Sequence, residues 1–229
     1  MNAYELFRGL PLFVDLDDDA LRSLAGRARL RVFQVNDRII SRSDEAQAFF
    51  VVLSGRVKIY RSNEEGKEQI LYLVEAGQPF CFCTAFTDRP YPVNVDALEE
   101  SRVADIPARD MEDLARREPM LLLKIMQTLS GRLLEAMNLV ESLAFRGARE
   151  RIAHFLLNAE ACSKVNFGEP FSLPVTHKEI AKIIGTTPET LSRVLQKFVR
   201  DNLISASGKS IRILDRKRLE RCYAVLPGN

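Results

Sequence analysis

The stretch THKEIAKIIGTTPETLSRVLQKFVRDN, residues 176–202, decides the fold of the C-terminal part of the chain. It predicts two short helices joined by a tight turn. Thr176 and Glu179 have the spacing of a capping box, which satisfies exposed amides at the start of the first helix. Gly185 suits the end of that helix because glycine reaches left-handed backbone angles without steric cost. Pro188 then suits the first position of the second helix.

The second predicted helix carries a polar face. Apolar residues repeat at helical spacing from Leu191 to Phe198, so the polar side chains of the opposite face remain in solvent. We interpret them as readers of base edges and phosphates, because each matches a donor or an acceptor of DNA. With the helix caps and the following hairpin, the predicted DNA-contacting residues are Thr176, Thr187, Glu189, Ser192, Arg193, Gln196, Lys197 and Lys209. An ordinary solvated face on a helical hairpin is the alternative.

The residues after the second helix strengthen the DNA-binding interpretation. LISASGKSIRIL, residues 203–214, predicts a β-hairpin that turns at Gly208, in the position of a wing. Residues 146–229 hold 15 lysines and arginines against 8 acidic residues, whereas residues 1–145 hold 18 against 23. The overall net charge of +2 therefore combines a basic C-terminal part, which is suited to DNA, with an acidic N-terminal part.

The N-terminal half predicts a sheet structure. From about residue 31 to residue 107, short alternating or apolar segments are separated by turn residues. Gly55, Gly66 and Gly77 recur every 11 residues, which fits successive strands followed by tight turns. We expect a small antiparallel β-roll or jelly roll, preceded by a short helical segment with Asp17–Asp19 in the first turn of a helix.

A heptad pattern between the N-terminal and C-terminal parts predicts one long helix, which begins at Glu118 and Pro119. Its apolar residues alternate gaps of four and three, and they are Leu122, Met126, Leu129, Leu133, Ala136, Val140 and Leu143. We interpret this seam as the interface of a parallel dimer, and a helix packed on its own domain is the alternative. A twofold dimer would read an inverted repeat with half-sites about one helical turn apart. A hinge at Phe145–Arg149 would lead to a helix near residues 150–162.

Length and composition favour two modest domains in a cytoplasmic protein. The chain has 229 residues, of which 46% are hydrophobic and 28% charged, as in ordinary globular proteins. We find neither a run of about 18 apolar residues nor a signal peptide, so we expect no membrane partner. The four cysteines are too scattered for a disulfide framework. We find no nucleophile beside a base, no acid pair, no phosphate loop and no zinc spacing, so we expect no catalytic residue, no metal site and no enzyme.

Several stretches resemble the CRP/FNR family of bacterial transcription regulators, and together they cover nearly the whole chain. They are LSGRVKIY (53–60), NEEGKEQILYLVEAGQ (63–78), ESLAFRGARERIAHFLL (141–157), NLISASGKSIRI (202–213) and the helix-turn-helix stretch. The resemblance implies an α+β chain in three parts. These are a cyclic-nucleotide-binding-like β-roll with its helical segment (1–118), a dimerisation helix (119–145) and a winged helix-turn-helix domain (146–229).

The recognition helix resembles that of the FNR-type branch of the family. Glu189, Ser192 and Arg193 match the three readers of that branch, so the resemblance implies a homodimer bound to double-stranded DNA with TTGAT-like half-sites. RNA polymerase would be a further partner if the chain activates transcription. A ligand-binding regulatory module that acts through protein partners is the alternative function, and charge reversal at the DNA readers would distinguish the two.

The departures from the family pattern bear on the signal that the roll senses. Members that bind cyclic AMP have Gly-Glu and Arg-Ser where this chain has Cys81-Phe82 and Tyr91-Pro92. Without the arginine, a buried phosphate would be an unpaired charge, so we expect no cyclic AMP binding. No cysteine precedes Cys81, so we expect no iron–sulfur cluster of the kind that the FNR branch holds.

Cys81 and Cys83 are the remaining candidate effector residues. GQPFCFC, residues 77–83, resembles the segment of haem-containing, carbon-monoxide-sensing members in which a cysteine and a histidine alternate as iron ligands, but Cys83 stands in place of the histidine. Three interpretations stay open, namely apolar packing, a haem site, and thiol oxidation or another ligand. For His154 and His177 we expect structural or phosphate-contact roles.

Overall fold

A computed structural model describes residues 3–45, 48–82, 87 and 89–224. The chain divides into two compact units, Met1–Glu135 and Ala136–Asn229, and the boundary falls within one long helix. Helices and antiparallel strands are present in both units, so the predicted α+β class is confirmed. Of the helices in the described ranges, none has the length and apolar character that a membrane span requires.

The first unit holds strands flanked by helices. Its helices are α1 (Ala3–Arg8), α2 (Asp18–Arg27), α3 (Ala108–Arg117) and the first part of α4 (Pro119–Phe145). Its strands are β1 (Arg29–Phe33), β2 (Arg38–Ile40), β3 (Ala48–Ser54), β4 (Arg56–Ser62), β5 (Glu68–Glu75), β6 (Pro79–Phe80), β7 (Asn94–Ala97) and β8 (Ser101–Pro107). They form two antiparallel sheets in the orders β1-β8-β3-β6 and β2-β7-β4-β5, which confirms the predicted roll.

Alternate residues of β3 face two different cores, because successive side chains of a strand point to opposite faces. Phe50 and Val52 pack in a cluster that draws residues from both sheets, including Ile59 of β4. Phe49 and Val51 pack in a second cluster with buried residues of α1, α2, α3 and α4. The roll is therefore closed on one side by its second sheet and on the other by helices.

The three recurring glycines lie in turns, as the sequence predicts. The φ angles of Gly55, Gly66 and Gly77 are +84°, +77° and +87°, values that glycine adopts far more readily than other residues. Gly55 connects β3 to β4, and Gly66 lies between β4 and β5.

We expect Gly55→Ala to destabilise the first unit more than Gly66→Ala. A Cβ atom at position 55 would lie 2.4 Å from the carbonyl oxygen of Glu100 and 2.8 Å from the Cα of Ser101, whereas one at position 66 meets no atom within 4 Å. Both alanines strain a left-handed residue by about 1–2 kcal/mol, and only Gly55→Ala adds a steric cost of about 1–3 kcal/mol. Urea unfolding measures both; equal losses of unfolding free energy would contradict the clash.

The second unit contains the end of α4 and a winged helix-turn-helix. Its further elements are α5 (Ala148–Cys162), β9 (Phe171–Ser172), α6 (His177–Ile184), α7 (Pro188–Arg200), β10 (Ile204–Ser207), β11 (Ser210–Ile213) and α8 (Arg216–Ala224). The strands form one antiparallel sheet in the order β10-β11-β9. The predicted long helix from Pro119 and the predicted hairpin are confirmed. The hinge is shorter than predicted, because only Arg146 and Gly147 separate α4 from α5.

Candidate nucleic-acid interface

Local caps fix the ends of the two helices of the helix-turn-helix. The Thr176 hydroxyl accepts a hydrogen bond from the Glu179 amide at 3.3 Å, at the start of α6. Gly185 ends α6 with a left-handed φ of 72°. The Thr187 hydroxyl accepts from the amide three residues further on at 3.2 Å, and Pro188 opens α7. The predicted boundaries of both helices are thus confirmed, and the capping explains why this sequence forms them.

Helix α7 buries one face and leaves the other in solvent. Leu191, Leu195 and Phe198 are buried. The predicted readers on this helix are all exposed, and they are Glu189, Ser192, Arg193, Gln196 and Lys197. The remaining predicted DNA contacts are exposed as well, with Thr176 and Thr187 at the helix starts and Lys209 at the tip of the β10–β11 hairpin. The fold therefore keeps these polar side chains accessible to a ligand outside the domain.

Glu189 is held as an ionised acceptor at the start of α7. Hydrogen bonds from its own backbone amide and from the Thr187 side chain lower the pKa of Glu189. A carboxylate in this state can accept a hydrogen bond from the amino group of cytosine and cannot donate one. The N-cap threonine thus adds to the preference of Glu189 for its ionised form.

The two histidines differ in their surroundings. The ring of His154 stacks on Tyr223 of α8, with 4.4 Å between the ring centroids. Burial, and then the charge of Arg146, lower the pKa of His154, which favours the neutral imidazole. These contacts agree with the structural role predicted for His154. His177 is exposed at the first position of α6.

The seven residues of the heptad seam are all exposed on α4 when one chain is considered alone. Val140 is 67% exposed and Leu133 is 63% exposed, which is unusual for branched apolar side chains. Further exposed apolar residues of α4 lie outside the predicted seam, and they are Met120, Leu123, Leu134, Met137 and Phe145. The helix therefore presents an apolar stripe that the described residues of its own chain leave largely in solvent.

A cavity of about 310 Å³ lies in the first unit beside the predicted effector residue Cys81. It is lined by Tyr72, Cys81, Phe82, Tyr91, Pro92, Val93, Leu129, Arg132 and Leu133. Cys81 is buried and has a φ of 53°, which residues other than glycine rarely adopt. Cys83 lies outside the described residues. The strands and α4 thus bring together a small, mostly apolar site that no local sequence motif predicts.

Two polar side chains of the lining, Tyr91 and Arg132, bear on whether the cavity could hold a cyclic nucleotide. Tyr91 stands where cyclic-AMP-binding members have an arginine, and its hydroxyl donates to the carbonyl of Ala48 at 3.1 Å. The cation of the lining is Arg132, whose guanidinium lies 4.3 Å from the ring centroid of Tyr72 and bonds Glu135 at 2.8 Å. Arg132 thus already has one acidic partner on the same helix. For haem, the lining offers the thiol of Cys81 and no imidazole, so the residues described fit one axial ligand at most.

Comparison with known proteins agrees with this architecture. The Crp-like helix-turn-helix domain model matches residues 150–222, and the cyclic nucleotide-binding domain model matches residues 30–118. The fumarate and nitrate reduction regulatory protein of Yersinia pestis is 32% identical over 203 residues, which is 88% of this chain and 79% of that protein. The transcriptional activator protein FnrA of Stutzerimonas stutzeri is 30% identical over 209 residues, or 90% and 84% of the two chains.

The structural comparison gives the same fold. A CooA variant from Carboxydothermus hydrogenoformans has a TM-score of 0.81 at 23% identity and covers 98% of this chain and 96% of its own. A β-roll and a helix-turn-helix domain define a DNA-binding transcription regulator, which is not an enzyme. The chain belongs to the CRP/FNR family of transcription regulators, as its sequence predicts.

Proposed function

We propose that this chain is a homodimeric, sequence-specific regulator that binds inverted repeats of TTGAT-like half-sites and responds to a small signal in its β-roll. The observation that carries the proposal is the exposed row Glu189, Ser192 and Arg193 on α7. Arginine can bind guanine through two hydrogen bonds, and glutamate can accept from cytosine. The relatives of the FNR type support the choice of half-site. Such a protein would act in the cytoplasm, where it meets chromosomal DNA and RNA polymerase.

Dimerisation through α4 is the second part of the proposal. We place the β-roll part at residues 1–118, the dimerisation helix at 119–145 and the DNA-binding domain at 146–229. The exposed seam from Leu122 to Leu143 supports this, because a stripe of this length is costly to leave in water. Two copies would bury it against each other. The pairing of two recognition helices then supplies the affinity that one helix-turn-helix lacks.

The cavity beside Cys81 is the proposed site of the signal. Its volume of about 310 Å³ lies at the lower end of the range of ligand pockets. The lining favours a small, mostly apolar molecule and disfavours cyclic AMP. The left-handed backbone of Cys81 supports a functional role, because such conformations concentrate at ligand sites. A signal that binds two arrangements of the dimer with affinities that differ by a few kcal/mol is sufficient to change DNA occupancy.

One experiment tests both DNA recognition and the haem interpretation. Binding of reduced protein to a fluorescent TTGAT inverted repeat would be measured beside a repeat with scrambled half-sites. We expect a difference of at least about 10³-fold, as is usual for specific over non-specific binding. Equal affinity would contradict the half-site.

Absorption spectra after haem titration and exposure to carbon monoxide are recorded on the same sample. A stoichiometric Soret band that shifts with the gas would assign the signal to haem, and a featureless spectrum would favour an apolar metabolite.

A further inference from the structure

Arg151, the fourth residue of α5, bonds three backbone carbonyls, one shortly before it in the sequence and two adjacent ones more than 30 residues after it. Its Nε donates to the carbonyl of Ile184 at 2.8 Å, and one terminal nitrogen donates to the carbonyl of Gly185 at 3.1 Å. The other terminal nitrogen donates to the carbonyl of Arg146, in the connection between α4 and α5. A single guanidinium thus joins the α4–α5 connection to the turn of the helix-turn-helix.

The two carbonyls at the turn explain why a cation is suited to this place. Ile184 is the last residue of α6, and Gly185 is its left-handed C-cap, so both carbonyls lie at the negative end of the helix dipole. Among the described residues, Arg151 has no carboxylate within ion-pair distance, and burial lowers the pKa of Arg151. The dipoles of these carbonyls stabilise its charge. The planar fork of arginine can serve three acceptors at once, whereas the single amine of lysine cannot hold the same geometry.

The contacts of Arg146 extend this connection to α4. One terminal nitrogen of Arg146 donates to the carboxylate of Glu141, near the end of α4, at 3.0 Å. The other donates to the carbonyl of Tyr223 in α8 at 3.1 Å, and the guanidinium lies 3.8 Å from the centroid of the Tyr223 ring. The side chain of Arg146 is therefore fixed by α4 and α8, and its carbonyl is fixed by Arg151. Glu141, Arg146 and Arg151 form a continuous chain of charge-assisted hydrogen bonds from α4 to the turn before α7.

We propose that Arg151 is a positioning residue for DNA recognition, which holds the turn between α6 and α7 against the α4–α5 connection and so sets the orientation of α7 relative to the C-terminal end of α4. This inference rests on the proposed function, because the orientation matters only if two copies of α7 read one inverted repeat. Helix α7 begins three residues after Gly185, so displacement of this turn moves the N-terminal readers directly. Arg151 touches no base in this scheme and acts only through the backbone.

The test compares Arg151→Lys with the unchanged full-length protein on inverted repeats that differ only in half-site spacing. Lysine keeps the positive charge but lacks the planar guanidinium that donates to all three carbonyls. We expect the variant to lose affinity for the preferred spacing by about tenfold or more, because hydrogen bonds of a charged group are lost. We also expect its preference among spacings to flatten, which a uniform loss of stability would not cause. An unchanged affinity with an unchanged spacing preference would overturn the proposal.

Two further variants separate positioning from folding. Arg221→Lys, on the exposed surface of α8, is the matched control and should bind like the wild type. Glu141→Gln, at an exposed site of α4, should weaken binding in the same direction as Arg151→Lys. In the double variant the loss should be smaller than the product of the single losses, because both residues act through one chain of bonds. Independent losses that multiply would show that Glu141 and Arg151 are uncoupled.

The inference can fail separately from the proposed half-site. If the wild-type protein binds none of the repeats, the half-site is wrong. Hydrogen exchange of the amides of Gly185–Thr187 then tests Arg151 without DNA. Arg151→Lys should accelerate their exchange at least about tenfold relative to Arg221→Lys, since the turn loses its tether. Equal exchange in both variants would overturn the positioning role, and the same measurement applies if Arg151→Lys binds DNA too weakly to compare spacings.

Discussion

Arg193→Glu is expected to abolish specific binding to a TTGAT inverted repeat, with a loss of at least about hundredfold in affinity. Loss of a bidentate contact to guanine costs about 1–3 kcal/mol at each half-site. The new carboxylate on the exposed face of α7 would also repel phosphates at both half-sites. Fluorescence anisotropy at a fixed salt concentration measures the loss. The salt concentration must be stated, because the phosphate contribution depends strongly on it.

The control for this variant is Lys67→Glu, in the turn between β4 and β5. It makes the same change of charge at an exposed residue outside the predicted DNA-contacting set. We expect it to keep affinity within about threefold, since Lys67 is outside the predicted DNA-contacting residues and salt weakens the interactions of exposed charges. If Arg193→Glu also kept its affinity, α7 would not be the reading helix. The alternative of a module that acts through protein partners would then gain support.

Val140→Glu is expected to convert the dimer into a monomer. Val140 is 67% exposed in one chain, so a glutamate there costs little while the chain is alone. In the proposed parallel dimer, the two glutamates would meet at the seam, where each loses its hydration and faces a like charge. We expect the dimer dissociation constant to rise by at least about hundredfold, which corresponds to roughly 2.8 kcal/mol. Analytical ultracentrifugation over a series of protein concentrations measures it directly.

Asn138→Glu is the matched control on the same helix. Asn138 is exposed, and two residues of a helix turn the side chain by about 200°, so it faces away from the seam. This variant should remain dimeric and should bind the inverted repeat normally. A dimeric Val140→Glu protein would show that the seam is not the interface. A monomeric Asn138→Glu protein would show instead that the whole circumference of α4 is sensitive to charge.

The elements that the sequence predicts well are those whose causes are local. Thr187 and Pro188 begin α7, and Gly185 ends α6, because each acts on backbone groups within a few residues. Strand β9 (Phe171–Ser172) was not predicted, since its two residues gain their structure by pairing with β11 about 40 residues later. Helix α8 was also missed, although Asp215 offered a signal. Its carboxylate accepts from the amide of Arg218 at 3.0 Å, as an N-cap does.

The candidate sites likewise differ in whether their residues are close together or far apart in the sequence. The DNA readers share one helix, so their period and their caps reveal them in the sequence. The cavity collects Tyr72, Cys81, Tyr91 and Arg132 from separate elements, and no spacing along the chain indicates that they meet. Arg151 was missed for the same reason, because its partners at the turn are backbone carbonyls more than 30 residues away. Every residue has a backbone carbonyl, so the sequence does not show which carbonyls accept hydrogen bonds from Arg151. Only the fold identifies them.

Leu129 and Leu133 line the cavity and also belong to the exposed seam of α4. If the seam is the dimer interface, a molecule in the cavity and a second protein chain both contact the side chains of Leu129 and Leu133. Binding of the molecule and self-association are then linked by mass action, and each must change the apparent affinity of the other by the same factor. The concentration of signal that half-saturates the protein should therefore shift as the protein is diluted. In a cell, the amount of the regulator would itself set the sensitivity of the response.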